Sequence, residues 1–337
     1  MIATADVNLL QALRRCRERQ PVKRGATPYS VVLEDAPFSL RRYHLPDCNP
    51  AGQPLLFVYS TINRPDLLDL TEHRSMIRPL LNAGFDIYLL DWGYPLDADS
   101  QLDLEDYLDG FLHLAVDHIR SCRKVDAVNA IGICQGGTLL ACYAALWPDR
   151  IRHLVLLGTP LDFHIDPTTL NRLADALAQP SGITGNIPGQ LLSSSFAALR
   201  PTDLFIRRYE LLPLVARQTE TLDEFLCMEA WMYDCPDQPA VMFWRFVTRF
   251  YQENALVSGD LTIGGKLVRL DHITASVLNI YAEEDHLIPP AAARSLADFI
   301  PSDRYGELAC RGGHLGLFLG SMSRNQVIPA IVNKLAG

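Results

Sequence analysis

The feature that most constrains this chain is a short string, Gly132-Ile133-Cys134-Gln135-Gly136-Gly137, which follows directly on the apolar run Val125-Asp126-Ala127-Val128-Asn129-Ala130-Ile131. A strand that enters a sharp turn of this kind and leaves as a helix forces its central side chain into an open site. Gly132 and Gly136 suit the turn, because a Cβ at either position would collide with the neighbouring strand and helix. The helix is expected to begin near Gln135 and to end at Trp147-Pro148. The positive end of its dipole favours negative charge on the Cys134 sulfur, and its free backbone N–H groups suit a developing oxyanion. Cysteine at this apex, where serine is commoner, selects thioester and acyl-transfer chemistry, because a thiolate both attacks and leaves a thioester easily. Taken alone, the string fits a small buried hydrophobe between chance glycines equally well.

Two further residues arrive in the matching order. Val277-Leu278-Asn279-Ile280-Tyr281-Ala282 reads as a buried strand and runs into Glu283-Glu284-Asp285-His286, with Pro289-Pro290 just beyond. Tyr305-Gly306-Glu307-Leu308-Ala309-Cys310 reads as another strand and is followed by Gly312-Gly313-His314. Nucleophile, acid and histidine in that order, each after a strand, is the arrangement of the α/β-hydrolase fold. Asp285 has rivals in Glu283 and Glu284, but it is the carboxylate followed by His286 and the Pro-Pro stop. His314 is one of nine histidines, and a histidine flanked by glycines usually means only a loop. His113 and His118 fall on a predicted helix as surface or packing residues. The predicted catalytic set is Cys134, Asp285 and His314.

The 337 residues, 48% of them hydrophobic, suffice for one extended core plus an inserted subdomain. A net charge of −9 gives no electrostatic case for nucleic-acid binding. Residues 1–20 are amphipathic and charged, without the apolar stretch of a signal peptide, and no segment reaches the unbroken apolar length of a membrane span. Eight cysteines (Cys16, Cys48, Cys122, Cys134, Cys142, Cys227, Cys235 and Cys310) form no C-x-x-C pair and no Cys/His metal spacing. They read as reduced thiols of a cytoplasmic protein, all but Cys134 structural, and neither a metal nor a cofactor is expected.

Strand and helix signals alternate along the chain, the mark of a mainly parallel sheet flanked by helices. After an N-terminal helix, residues 29–34 and 38–43 form a predicted edge hairpin. Strands follow at 54–59, 86–91 and 152–157, with helices at 73–83, 104–122 and 325–335. Between about Phe163 and Ile273 the alternation stops. Gly/Ser/Pro-rich stretches at 180–189 and 193–195 sit there beside apolar, aromatic helices around 222–233 and 240–251. The expected organisation is an α/β-hydrolase core, 1–162 and 274–337, interrupted after its sixth strand by a cap at 163–273. Most of the cap's aromatics fill its own core, and its loop-rich part gates access to Cys134.

From about Tyr29 onward the chain resembles the polyhydroxyalkanoate synthases, in particular the short catalytic subunit of the class III enzymes. The resemblance runs through Ile62-Asn63-Arg64-Pro65 to Leu68-Asp69-Leu70, then Leu89-Leu90-Asp91-Trp92-Gly93-Tyr94-Pro95 and the Gly132–Gly137 elbow. It continues with Trp231-Met232-Tyr233-Asp234-Cys235-Pro236-Asp237-Gln238, Phe250-Tyr251-Gln252-Glu253-Asn254 and Ile263-Gly264-Gly265, and ends at Asp285-His286 and Gly312-Gly313-His314. Ser60-Thr61 stands where the family usually has apolar residues, and Cys235 replaces a serine. Both changes bear on pocket shape, and neither removes a triad member. The similar class IV subunits use a different partner protein.

The resemblance implies polymerisation of (R)-3-hydroxyacyl-CoA, short-chain 3-hydroxybutyryl-CoA above all, with release of CoA through a covalent cysteine thioester. It also implies a second (E) subunit, a homodimer, and a place at the surface of polymer granules in the cytoplasm. His314 deprotonates Cys134, and the backbone N–H groups of Gln135 and Ile62 hold the oxyanion. Asp285 either orients His314 or helps activate the 3-hydroxyl that extends the chain. Two other functions share these features: a cysteine thioesterase or intracellular polyester depolymerase delivering water, and a catalytically silent granule-binding or scaffold subunit. Product analysis separates the first, and retention of all three triad residues speaks against the second.

Overall fold

The computed structural model describes residues 8–19, 22–46, 52–177, 185–199 and 206–336. Cys48, residues 1–7 and 20 of the charged N-terminal stretch and residues 180–184 of the predicted 180–189 loop lie outside them. Eight strands make the central sheet: β1 (Tyr29–Asp35), β2 (Phe38–Tyr43), β3 (Pro54–Val58), β4 (Asp86–Asp91), β5 (Val128–Ile133), β6 (Ile151–Leu157), β7 (Ser276–Ala282) and β8 (Tyr305–Cys310). Their spatial order is β1-β2-β4-β3-β5-β6-β7-β8. The β1/β2 and β2/β4 pairs are antiparallel and all others parallel.

β3, β4 and β5 are buried along their whole length, which is why they read as unbroken apolar runs and not as alternating patterns. Successive side chains leave opposite faces of the sheet. Leu56, Val58, Leu90, Ala130 and Leu154 pack on one side against the helix at 104–123 and the elbow helix α1 (Gln135–Leu146). Leu55, Phe57, Leu89, Ile131 and Val155 pack on the other, against the helices Ile77–Asn82 and Ile328–Ala336. Burying each such side chain contributes about 1.5–3 kcal/mol, and the two faces together fix the register that aligns the strand ends.

One helix differs from expectation in its extent. The one predicted at 73–83 begins only at Ile77. Before it, Arg74–Ser75 pairs with Asp69–Thr71, and the buried Asp69 carboxylate accepts bonds from the Thr27 N–H and hydroxyl at 2.7 and 2.8 Å. Ser75 Oγ then accepts the Arg78 N–H at 3.0 Å, satisfying a donor that the first turn cannot. The helix at 104–123 runs its predicted course, with a wider π turn over Asp106–Leu112.

The insertion at 163–273 holds the helices α2 (Thr219–Met232) and α3 (Ala240–Phe246), the latter extended as a π turn over Val247–Gln252. Its two halves differ. Met242, Phe246, Phe250, Leu256, Ile263 and Leu270 share one apolar cluster with the sheet and its flanking helices. This half is therefore continuous with the core of the sheet. Cys227 and Trp231 of α2 instead cover the opposite cluster beside Leu67, Leu68 and the part-buried Cys134.

Candidate active site

The elbow places Cys134 at φ 53°, ψ −128°, a conformation that non-glycine residues rarely adopt and that costs on the order of 1–3 kcal/mol. Close packing holds it there. Cys134 N–H donates to Leu157 O at 3.0 Å, and Cys134 O accepts from the N–H groups of Gly137 and Thr138 at 2.9 and 3.3 Å. A Cβ on Gly132 would stand 2.5 Å from Gly137 Cα, and one on Gly136 would stand 2.3 Å from Tyr59 O. The glycines thus let β3, β5 and α1 meet at the sulfur-bearing residue.

Asp285 and His314 come from the loops after β7 and β8, whose parallel pairing brings those loops side by side. The His314 Nδ1–H donates to Asp285 Oδ2 at 2.6 Å, both side chains being almost wholly buried. Asp285 Oδ1 accepts the N–H groups of Leu287 and Ile288 at 2.9 and 3.0 Å, so the carboxylate is anchored on one oxygen and directs the other at the imidazole. Cys134 is close enough to His314 to add to the interactions that hold a proton on the imidazole. Burial alone would depress the imidazole's affinity for a proton. The Asp285 carboxylate, its hydrogen bond and the Cys134 sulfur outweigh burial and raise the pKa to about 10. Gly158, at φ +51°, is the residue under the ring, and a Cβ there would lie 3.0 Å from His314 Cε1.

The two backbone donors named from sequence are placed differently. Gln135 is the first helical residue after Cys134, where its N–H has no carbonyl in a preceding turn to bond. The Ile62 N–H donates to Ser60 Oγ at 3.0 Å. Gln135 also reaches the same loop with its side chain: Oε1 accepts Thr61 N–H at 3.1 Å, Thr61 Oγ1–H at 2.8 Å and Ser60 Oγ–H at 3.2 Å.

Sequence reasoning missed the means by which the insertion holds this loop. Asn63 sits in the left-handed region at φ 61°, and its amide donates to the Trp231 and Met232 carbonyls that end α2. Trp231 Nε1–H donates to Arg64 O at 2.7 Å, and Gln238 Nε2–H to Thr61 O at 2.7 Å. Arg64 and Arg41 share the buried Asp91, which ties the loop to the end of β4. Asn63, Trp231 and Gln238, all in stretches singled out from the sequence, were the visible signal for these contacts. Burial above all, with Cys134 as a further cause, pushes the Tyr59 and Tyr251 phenols above their ordinary pKa.

Among the described residues, no group of three or more His, Cys, Asp or Glu is placed to hold a metal ion, and no helix is long and apolar enough to cross a membrane. The seven described cysteines are all free thiols.

Residues 65–321 match the family described by the alpha/beta hydrolase fold. Among solved structures, a thermophilic esterase from Thermogutta terrifontis superposes with a TM-score of 0.53 at 15% identity, over 92% of this chain and 98% of that one. A serine hydrolase from Cycloclasticus zankles gives 0.52 at 14% identity, over 93% and 99%. At such identities these likenesses speak for the fold alone. The Poly(3-hydroxyalkanoate) polymerase subunit PhaC of Allochromatium vinosum is 40% identical over 95% of this chain and 92% of its own length. The subunit of the same name from Synechocystis is 37% identical over 93% and 85%. With its eight-stranded sheet, its cysteine elbow and this chain-long similarity, the protein belongs to the α/β-hydrolase superfamily and, within it, to the poly(3-hydroxyalkanoate) polymerase PhaC family.

Proposed function

We propose that the protein polymerises (R)-3-hydroxyacyl-CoA, with 3-hydroxybutyryl-CoA as the main substrate, through a thioester on Cys134. The observation that carries this reading is the buried Asp285–His314 pair set against a cysteine elbow, in a chain similar over its length to relatives named as polymerase subunits. His314 takes the Cys134 proton, and the sulfur attacks the thioester carbonyl carbon. The carbonyl oxygen takes up the negative charge beside the Gln135 N–H, with the loop after β3 supplying the second donor, Ile62 N–H in the reading from sequence. Collapse of this intermediate breaks the carbon–sulfur bond to CoA, and His314 returns the proton to the leaving thiolate. The 3-hydroxyl of one acyl unit then attacks the thioester of another, its proton passing to the histidine, so that an ester forms and a thiol is released. Asp285 keeps the imidazole oriented and favours its protonated form.

The family likeness supports a class III arrangement, with a second (E) subunit, a homodimeric catalytic subunit, and a cytoplasmic enzyme at the polymer granule surface. In this reading the part of the insertion carrying α2 is a lid over Cys134, and the partner subunit stabilises its open form. A CoA-release assay with 3-hydroxybutyryl-CoA, with and without a class III partner subunit and followed by product sizing, tests it. Polymer plus CoA is expected, with activity rising on addition of the partner, and Cys134→Ala should release no CoA and form no polymer. Free hydroxy acid as the main product would make the enzyme a hydrolase instead.

A further inference from the structure

Three hydrogen-bond donors converge on a single oxygen of the residue that follows Cys134 in the chain. Thr61 N–H, Thr61 Oγ1–H and Ser60 Oγ–H all reach Gln135 Oε1 within 3.2 Å. Ser60 and Thr61 are buried, at 7% and 3% exposure. The strand end that carries them lies so close to α1 that only glycine fits at position 136. A neutral amide oxygen offers two lone pairs. Three donors aimed at one oxygen, two of them from one residue, form the environment that a full negative charge requires. The Ile62 N–H is meanwhile turned away to Ser60 Oγ. The occupant of this three-donor nest is the side chain of the residue adjacent to Cys134, whose own N–H stands at the start of α1.

We propose that Thr61, through its N–H and its hydroxyl, is the second half of the oxyanion hole, and that the Gln135 side-chain carbonyl is a resting occupant which the substrate's acyl oxygen displaces. The proposal rests on the acyl-transfer reading of Cys134. As the sulfur bonds to the carbonyl carbon, the oxygen enters the nest and gains the electron pair of the C=O π bond. When the C–S bond to CoA breaks, the pair returns to the carbonyl and the Gln135 amide swings back. Ser60 is a positioning residue: one hydroxyl takes the Ile62 N–H and donates into the nest, so the loop keeps its shape when the occupant changes.

The experiment is single-turnover CoA release from 3-hydroxybutyryl-CoA by the full chain with its partner subunit, together with the infrared carbonyl band of the acyl-enzyme made with 13C-labelled substrate. Thr61→Val keeps the shape and loses the hydroxyl. It is expected to slow the first acylation about 10²-fold with KM unchanged, and to move the carbonyl band to higher wavenumber. Thr61→Ser should restore most of both. Gln135→Ala, which empties the nest, should acylate faster than wild type. Acylation at the wild-type rate and an unmoved band in Thr61→Val would overturn the assignment. So would a slower Gln135→Ala, because the amide would then be a structural clamp; this variant also decides the matter should Thr61→Val fail to fold. A wild-type enzyme that forms no acyl–cysteine at all would instead break the acyl-transfer reading itself.

Discussion

The acid–histidine pair and the loop after β3 flank the same cysteine and are held by opposite means. Backbone bonds secure the first: Glu283 N–H to Cys310 O at 2.8 Å, Glu284 N–H to Gly312 O at 2.9 Å, and two N–H groups on the Asp285 carboxylate. These continue the β7/β8 ladder and cannot be exchanged without opening the sheet. Side chains secure the second. Gln135 comes from α1, Trp231 and Gln238 come from the insertion, and Asn63 of the loop itself caps α2. A side-chain bond of this kind contributes about 1 kcal/mol net and can be traded for a bond to substrate or water. The acid–histidine pair is thus held by the sheet itself, and the loop after β3 by side-chain bonds, two of them from the insertion.

The sharpest way to break this comparison is Asp285→Asn. Cysteine is intrinsically a strong nucleophile, so the first acylation should partly survive, whereas an alcohol depends far more on the base. Elongation is expected to fall about 10²–10⁴-fold, the usual worth of general acid–base catalysis, leaving an acyl-enzyme that accumulates and barely extends. Single-turnover CoA release followed by product sizing reads this out. Equal losses in both steps would mean that Asp285 only orients His314.

A smaller effect is expected on the releasable side. Gln238→Leu leaves the buried Thr61 carbonyl without its partner, a loss of about 1–3 kcal/mol borne mainly by the closed form. The isolated subunit should then show a shorter lag and a weaker response to its partner. An unchanged lag would show that the insertion does not gate through this bond.

The smallest effect is on stability against pH. The folded-state pKa of His314 is raised to about 10, above the roughly 6.5 of a free histidine. Its contribution is therefore complete below about 6.5 and is lost as pH rises through about 10. Cys134→Ala removes one cause of the raised value, so in urea melts the alkaline loss should begin at lower pH than in wild type. His153 has the opposite sign: burial first, then Arg152 and Lys334, lower its pKa. Its contribution holds above about 6.5 and fades as pH falls through the lower folded value.

Much of the architecture was legible because it depends on local pattern. The apolar run of β4 and the Gly-bounded segment of β8 were read with their observed ends, Asp86–Asp91 and Tyr305–Cys310. The glycine spacing around Cys134 announced a turn in which backbone meets backbone. The order of cysteine, carboxylate and histidine suggested one site because parallel strands bring their C-terminal ends together. The helix at 73–83 was read too long because a buried carboxylate, Asp69, and its partner Thr27 lie 42 residues apart, and no local window contains both.

What the sequence determined by itself was the sheet and the elbow, each set by periodicity and by residues that need a particular backbone. Tertiary structure alone decided the rest. The division of the insertion into a half continuous with the core and a half bonded to the loop after β3 depends on which apolar faces find each other. The turning of Ile62 N–H to Ser60, and the convergence of Ser60 and Thr61 on Gln135, depend on side chains 74 or 75 residues apart competing for the same few donors and acceptors. A hydrogen bond is decided within tenths of an ångström, and only the folded chain sets distances that finely.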